Sequence, residues 1–198
     1  MTRTHWCKQY VFAGIVFAMA LIAVVALQQP LASAAEEGPT YSRARMFGLK
    51  LAYGRSFGTN EQIETMAVLP YLYLPLHKLT ACMDLGLVIE PVFFQYFEPE
   101  NATGFGITPR LRLDFGHWTI TPYIEAGVGL FYTDLDVHEL GQNFNFSPQG
   151  EVGLDFPIAR CTLLNLGYRY HHISNAGMSE PNEGVDTNMI VIGISRKF

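Results

Sequence analysis

The chain ends on MIVIGISRKF, residues 189–198. Ile190, Ile192, Ile194, Arg196 and Phe198 share one parity, while Met189, Val191, Gly193, Ser195 and Lys197 share the other. Successive side chains of a strand point to opposite faces, so this period of two reads as a β-strand. It stops on an aromatic residue at the last position of the chain.

The same alternation recurs upstream. In FGITPRLRLDF (105–115), Phe105, Ile107, Pro109, Leu111, Leu113 and Phe115 oppose Thr108, Arg110, Arg112 and Asp114. In WTITPYIEAGVGLFY (118–132), Ile120, Ile124, Val128 and Leu130 oppose Thr121, Tyr123 and Glu125. FNFSPQGEVGLDF (144–156) sets Phe144, Phe146, Val152, Leu154 and Phe156 against Asn145, Ser147, Gln149, Glu151 and Asp155. MFGLKLAYG (46–54) and MDLGLVIEPVFFQYF (83–97) repeat the theme, and MAVLPYLYLPL (66–76) is apolar on both faces, so its parity is ambiguous. With CTLLNLGYRYHHIS (161–174) and the terminal segment, eight strands are predicted. Alternating strands that finish on a terminal Phe resemble bacterial outer-membrane barrels, whose strand number is even and whose strands need about 9–11 residues to span. The predicted fold is all-β, an eight-stranded antiparallel transmembrane β-barrel.

The first part of the chain stands apart. Arg3 and Lys8 precede an apolar run from Val11 to Leu27, and Ala32-Ser33-Ala34 fits a small-x-small cleavage site. This reads as a secretory signal peptide over 1–34, cleaved after Ala34 or Ala35, with the barrel over 35–198. No second apolar segment is long enough to cross as a helix. Cys7 leaves with the signal. Cys82 and Cys161 fall near short turns at one end, where a disulfide is open but not required. The formal net charge is −5 with no basic run, which argues against nucleic acid.

HKLTA, Gly116-His117 and PIAR read as short periplasmic turns, and EPENATG, TDLDVHELGQN and NAGMSEPNEGVD as longer extracellular loops. A soluble β-sandwich or lipocalin-like barrel would put the apolar face inward. Here the polar face carries glycines and both signs of charge. Lys50, Arg110, Arg112 and Arg169 are predicted to meet Glu90, Asp114, Glu125, Glu151 and Asp155 inside a narrow, closed barrel.

That orientation sorts YRYHHISNAG, residues 168–177. Asn165, Arg169 and His171 face inward. Tyr168, Tyr170, His172 and Ser174 face lipid, the tyrosines as interfacial anchors, at the outer end of strand seven. A polar pair facing a bilayer is costly, though less so at the interface, where a bland anchoring role also fits. Residues i and i+2 of a strand share a face about 7 Å apart. Asp186 has the parity of lipid-facing Ile190, and a hairpin folded around 178–180 sets it opposite His172. Acid, base and nucleophile then share one surface.

HISNAGMSEPNEGVD (172–186) resembles the signature of the lipid A 3-O-deacylase (PagL) family of eight-stranded outer-membrane enzymes. The resemblance covers about residues 164–198 and is architectural elsewhere. It implies His172 as base, Ser174 as nucleophile, and Asn175 with the Gly177 N–H as oxyanion donors. Asp186 stands where the family has glutamate, one methylene longer. The implied activity is a serine esterase that removes the 3-O-linked 3-hydroxyacyl chain of lipid A. It acts on lipopolysaccharide in the cell outer membrane, with no metal or cofactor; a homodimer is compatible with it. Two other classes fit in part. A non-catalytic structural or adhesive barrel explains the fold but not the shared parity of His172, Ser174 and Asp186. A calcium-dependent outer-membrane phospholipase, or another lipid-modifying barrel, would draw on acidic loop residues such as Asp134, Glu180 and Glu183.

Overall fold

Alternation becomes architecture in the computed structural model, which describes residues 44–116 and 119–198. The signal peptide read over 1–34 lies outside these residues. The strands are β1 (Met46–Phe57), β2 (Glu64–Thr80), β3 (Met83–Glu98), β4 (Ala102–Phe115), β5 (Thr121–Thr133), β6 (Phe144–Ala159), β7 (Thr162–Ile173) and β8 (Val185–Lys197). Each pairs antiparallel with its neighbour in sequence, and β1 pairs with β8 to close the barrel. Closure removes the unpaired edges that a bilayer cannot satisfy. The chain therefore has the predicted eight-stranded barrel.

Two connections differ from the sequence reading. Only residues 99–101 join β3 to β4, so EPENATG is mostly strand. Residues 58–63 form an outer loop that the alternation did not signal. Both differences have one cause. The strands reach 17 residues in β2 and 16 in β3, longer than the ~9–11 that span a bilayer. Beyond the bilayer a polar residue says nothing about strand or loop.

The barrel interior has two layers. The layer toward the short turns is charged. Lys50 lies 2.7 Å from Glu151, Arg110 2.8 Å from Glu90 and 2.7 Å from Glu125. Arg112 meets Asp114 at 2.6 Å, Asp155 at 2.5 Å and Glu125 at 3.1 Å. Arg169 meets Glu90 at 2.7 Å and Glu151 at 2.5 Å. All nine predicted interior charges are in this network, and each acid is shared or multiply bonded, which offsets the desolvation of burying it.

Tyrosines complete this layer and settle the ambiguous β2. Ala67, Leu69, Tyr71 and Tyr73 are buried inside, while Met66 is exposed. The Lys50 ammonium stands 5.0 Å from the Tyr71 ring, and Arg112 lies 3.9 Å from the Tyr123 ring. Aromatic faces attract cations, so β2 reads as apolar on both sides although its inward rings serve the charges. Tyr123 crosses so close to β6 that a Cβ on Gly153 would lie 2.4 Å from its Cζ.

The layer toward the long loops is apolar. Ile63, Leu69, Val92, Phe94, Phe131, Ile173, Val185 and Met189 form one buried cluster with Leu135, Val137 and Leu140 from the β5–β6 loop. The loop thus folds down as a plug over the strand ends. Outside, Phe57, Phe105, Tyr132, Phe144 and Tyr170 are exposed near this end, an aromatic girdle at the outer interface. Cys82 and Cys161 do lie in turns at the other end, and both are free thiols. Their turns, β2–β3 and β6–β7, sit on opposite sides of an eight-strand ring.

Candidate active site

The β7–β8 hairpin carries the candidate residues on its outward face. His172 pairs directly with Asp186, Ile173 with Val185 and Tyr170 with Asn188. Ile173 and Val185 turn inward to the apolar plug. His172 and Asp186 turn outward, with side chains 23% and 35% exposed. The hairpin is thus anchored from beneath while its outer face stays accessible.

His172 Nδ1–H donates to Asp186 Oδ1 at 2.7 Å. A carboxylate only accepts, so this partner assigns the proton to Nδ1 and leaves Nε2 as the basic nitrogen. Ser174 follows on the same face as the strand ends. Its N–H still donates to Phe146 O at 3.1 Å, and its carbonyl accepts from Phe146 N at 2.8 Å. No hydrogen bond joins its hydroxyl to His172 or to any other described residue. The i, i+2 spacing of about 7 Å is bridged only when both side chains lean together, and such contacts tighten in substrate complexes.

Asn175 and Gly177 are placed otherwise than the resemblance implies. Asn175 is fully buried. Its Nδ2 donates to Ser179 O at 2.8 Å, and its Oδ1 accepts from Gly177 N at 2.9 Å. Its own N–H donates to Asn182 Oδ1 at 2.8 Å. Ala176 and Gly177 both adopt positive φ, 54° and 79°, which folds the loop back onto the carboxamide. An Asn side chain that closes a turn on its own backbone is a common use of its short reach. Both expected oxyanion donors are therefore engaged within the loop, as its organisers.

Two residues were not legible as part of the site. Tyr170, read as an interfacial anchor, donates its hydroxyl hydrogen to Asp186 Oδ1. Gly184 has φ 78°, and a Cβ there would lie 2.6 Å from His172 Cε1 and 3.1 Å from Nε2. The backbone of Gly184 so closes over one edge of the imidazole while Asp186 holds the other. Parity did mark Tyr170 as facing the same way as His172. Its diagonal reach to the next strand depends on a rotamer, which no periodicity reports.

Neighbouring loops hold the arrangement. Gly184 N–H donates to Glu139 O at 3.1 Å, and Leu140 bridges Asn182. Ser179 Oγ donates to Gly141 O at 3.1 Å, and Asn60 N–H donates to Glu139 Oε1 at 2.6 Å. The β5–β6 loop thus ties the site loop to the β1–β2 loop. Among the described residues, no three His, Cys, Asp or Glu side chains gather as a metal site.

Known proteins share both the motif and the barrel. Residues 75–195 match the model of the lipid A 3-O-deacylase (PagL) family. The lipid A deacylase PagL of Pseudomonas aeruginosa is 34% identical over 93 residues, 46% of this chain and 51% of that protein. The lipid A deacylase PagL of Bordetella bronchiseptica is 39% identical over 67 residues, 32% of this chain and 35% of that protein. The matches thus span about half or less of those curated relatives. The crystal structure of the outer membrane enzyme PagL superposes with a TM-score of 0.61 at 22% identity, covering 74% of this chain and 97% of that one. Neisserial surface protein A superposes with a TM-score of 0.62 at 15% identity, covering 78% and 97%. An enzyme and a surface protein fit the barrel equally well, so the architecture alone does not select an activity.

Proposed function

The chain belongs to the lipid A 3-O-deacylase (PagL) family, and on that basis we propose that it is a serine esterase of the outer membrane. It releases the 3-O-linked 3-hydroxyacyl chain of lipid A. The observation that carries this reading is the His172–Asp186 pair at 2.7 Å on the outward face of the barrel, with Ser174 two residues further along the same face. A buried or inward pair would suit a structural role. An outward pair at the girdle meets the acyl chains and headgroups of the outer leaflet, and the substrate reaches it laterally without an aqueous pocket.

In the reaction, Ser174 Oγ attacks the ester carbonyl and its proton passes to His172 Nε2. Asp186 holds the Nδ1–H edge and stabilises the imidazolium that forms. The C–O bond to the sugar then breaks, and His172 returns the proton to the departing 3-hydroxyl. Water, deprotonated by His172, attacks the acyl-enzyme; the acyl C–Oγ bond breaks, His172 returns the proton to Ser174 Oγ, and the 3-hydroxy fatty acid is freed. Asn175 and Gly177 contribute by fixing the 175–179 turn beside the nucleophile. The N–H groups of Asn175, Gly177, Met178 and Ser179 are bonded within the loops, which leaves the Ala176 N–H to meet the oxyanion.

Mass spectrometry of lipid A from cells with and without the protein tests the reading. The expected result is loss of one 3-hydroxyacyl chain, abolished by Ser174→Ala. Unchanged lipid A alongside intact phospholipid would support a structural barrel. Calcium-dependent release of fatty acid from phospholipid would support a phospholipase.

A further inference from the structure

Asp186 Oδ1 accepts two hydrogen bonds, one from His172 Nδ1 and one from the Tyr170 hydroxyl. The second has no counterpart on the next tyrosine of the same face. Tyr168 is similarly exposed, yet among the described residues its hydroxyl has no side-chain partner. An outward tyrosine of a barrel ordinarily directs its hydroxyl to water or headgroups at the interface. Tyr170 instead aims it diagonally across the hairpin at the acid of the site. Its ring is steadied by Phe57, with centroids 6.3 Å apart, and Phe57 is the β1 residue paired with Asp186.

The acid at this position is short. Asp186 reaches one methylene less far than a glutamate in its place would. Its half-exposed carboxylate has water and headgroups within reach as rival partners. A second donor on the same oxygen removes that freedom.

We infer that Tyr170 is a positioning residue. Its hydroxyl fixes the Asp186 carboxylate in the rotamer that holds the Nδ1 edge of His172, and so makes up for the shorter acid. This rests on the esterase reading of the same site.

The test is a double-mutant cycle on the full-length protein in lipid A vesicles, with kcat and KM measured for the wild type, Tyr170→Phe, Asp186→Glu and the double variant. One charge-assisted hydrogen bond sets the scale, so Tyr170→Phe lowers kcat about tenfold while KM stays within about twofold. In the Asp186→Glu background the same change costs about threefold or less, whatever Asp186→Glu does by itself. Equal losses in both backgrounds, or a rise in KM with kcat intact, overturn the inference and return Tyr170 to an interfacial anchor. A second readout needs no turnover. NMR of the His172 Nδ1 proton should show its hydrogen-bonded resonance weakened or lost in Tyr170→Phe and restored in the double variant. If wild-type protein leaves lipid A intact, the esterase reading fails, and the NMR series still decides whether Tyr170 positions the pair; an unchanged resonance in Tyr170→Phe overturns it.

Discussion

His171 and His172 are joined by one peptide bond and share no surroundings. His171 is 1% exposed, stacked on Phe94 with centroids 4.7 Å apart, and its Nε2 shares a hydrogen bond with Ser147 Oγ at 3.0 Å. His172 faces outward, held between the Asp186 carboxylate and the Gly184 backbone. The inward ring sits where the charged layer of the barrel gives way to the apolar plug, and it belongs to the packing. The outward ring keeps Nε2 unengaged by any described residue. The pleat of one strand separates a structural histidine from a candidate base, and the same division runs along β7. Arg169 and Ile173 support the barrel, while Tyr170 and Ser174 lie on the reactive face.

The largest losses of activity are expected on the outward side. Ser174→Ala and His172→Ala should each lower deacylation by roughly a thousandfold or more, as removal of a nucleophile or base does elsewhere. Neither should change the free energy of urea unfolding of the barrel by more than the ~0.5 kcal/mol of a typical surface change. A variant that lost stability instead of activity would place its side chain on the wrong face.

Arg169→Met probes the inward side one turn of the pleat away. Arg169 bonds Glu90, Glu151 and Gln149, and its loss leaves two buried carboxylates short of a partner. Truncating one member of a buried ionic network costs about 3–5 kcal/mol, to be read from urea unfolding in vesicles. The fraction that folds should deacylate at close to the normal rate. A kcat loss in fully folded Arg169→Met would show that the interior network reaches the site.

Gly184→Ala acts on the site through the backbone. The new methyl meets the imidazole of His172 at 2.6 Å, and φ 78° disfavours any side chain. A displacement of that order costs up to about a hundredfold in rate, so a loss of about ten- to a hundredfold in kcat is expected. Strain of about 1–2 kcal/mol in stability should accompany it. Activity retained in full would mean that the ring is not confined on that edge.

How far the sequence reached follows from the same physics. Parity is a property of the backbone, so the lipid face, the interior charges and the shared face of His172, Ser174 and Asp186 were legible from spacing. The parity of β2 was not, because Tyr71 and Tyr73 are apolar by composition yet serve Lys50 and Arg112. The plug residues Leu135, Val137 and Leu140 were hidden in a segment that reads as polar loop. At the site, the missing pieces were those that depend on torsions. The Tyr170 hydroxyl needs a rotamer, Gly184 needs a positive φ, and the inward fold of Asn175 needs Ala176 and Gly177 in the left-handed region.

The smallest expected effect separates the two histidines directly. His171→Phe keeps an aromatic ring in the same slot between Phe94 and Phe131. It removes one hydrogen bond to Ser147 Oγ, which still accepts from Gln149 Nε2 at 2.9 Å. No buried group is left without a partner, so the net cost is about 1 kcal/mol, and the gain of an apolar ring beside the plug reduces it. Deacylation should stay within about twofold, since Ile173 and Val185, not His171, underlie the reactive pair. Loss of activity in folded His171→Phe with His172→Ala still active would shift β7 by one residue. That slip would turn every side chain of the strand to the other face, Arg169 into lipid with them.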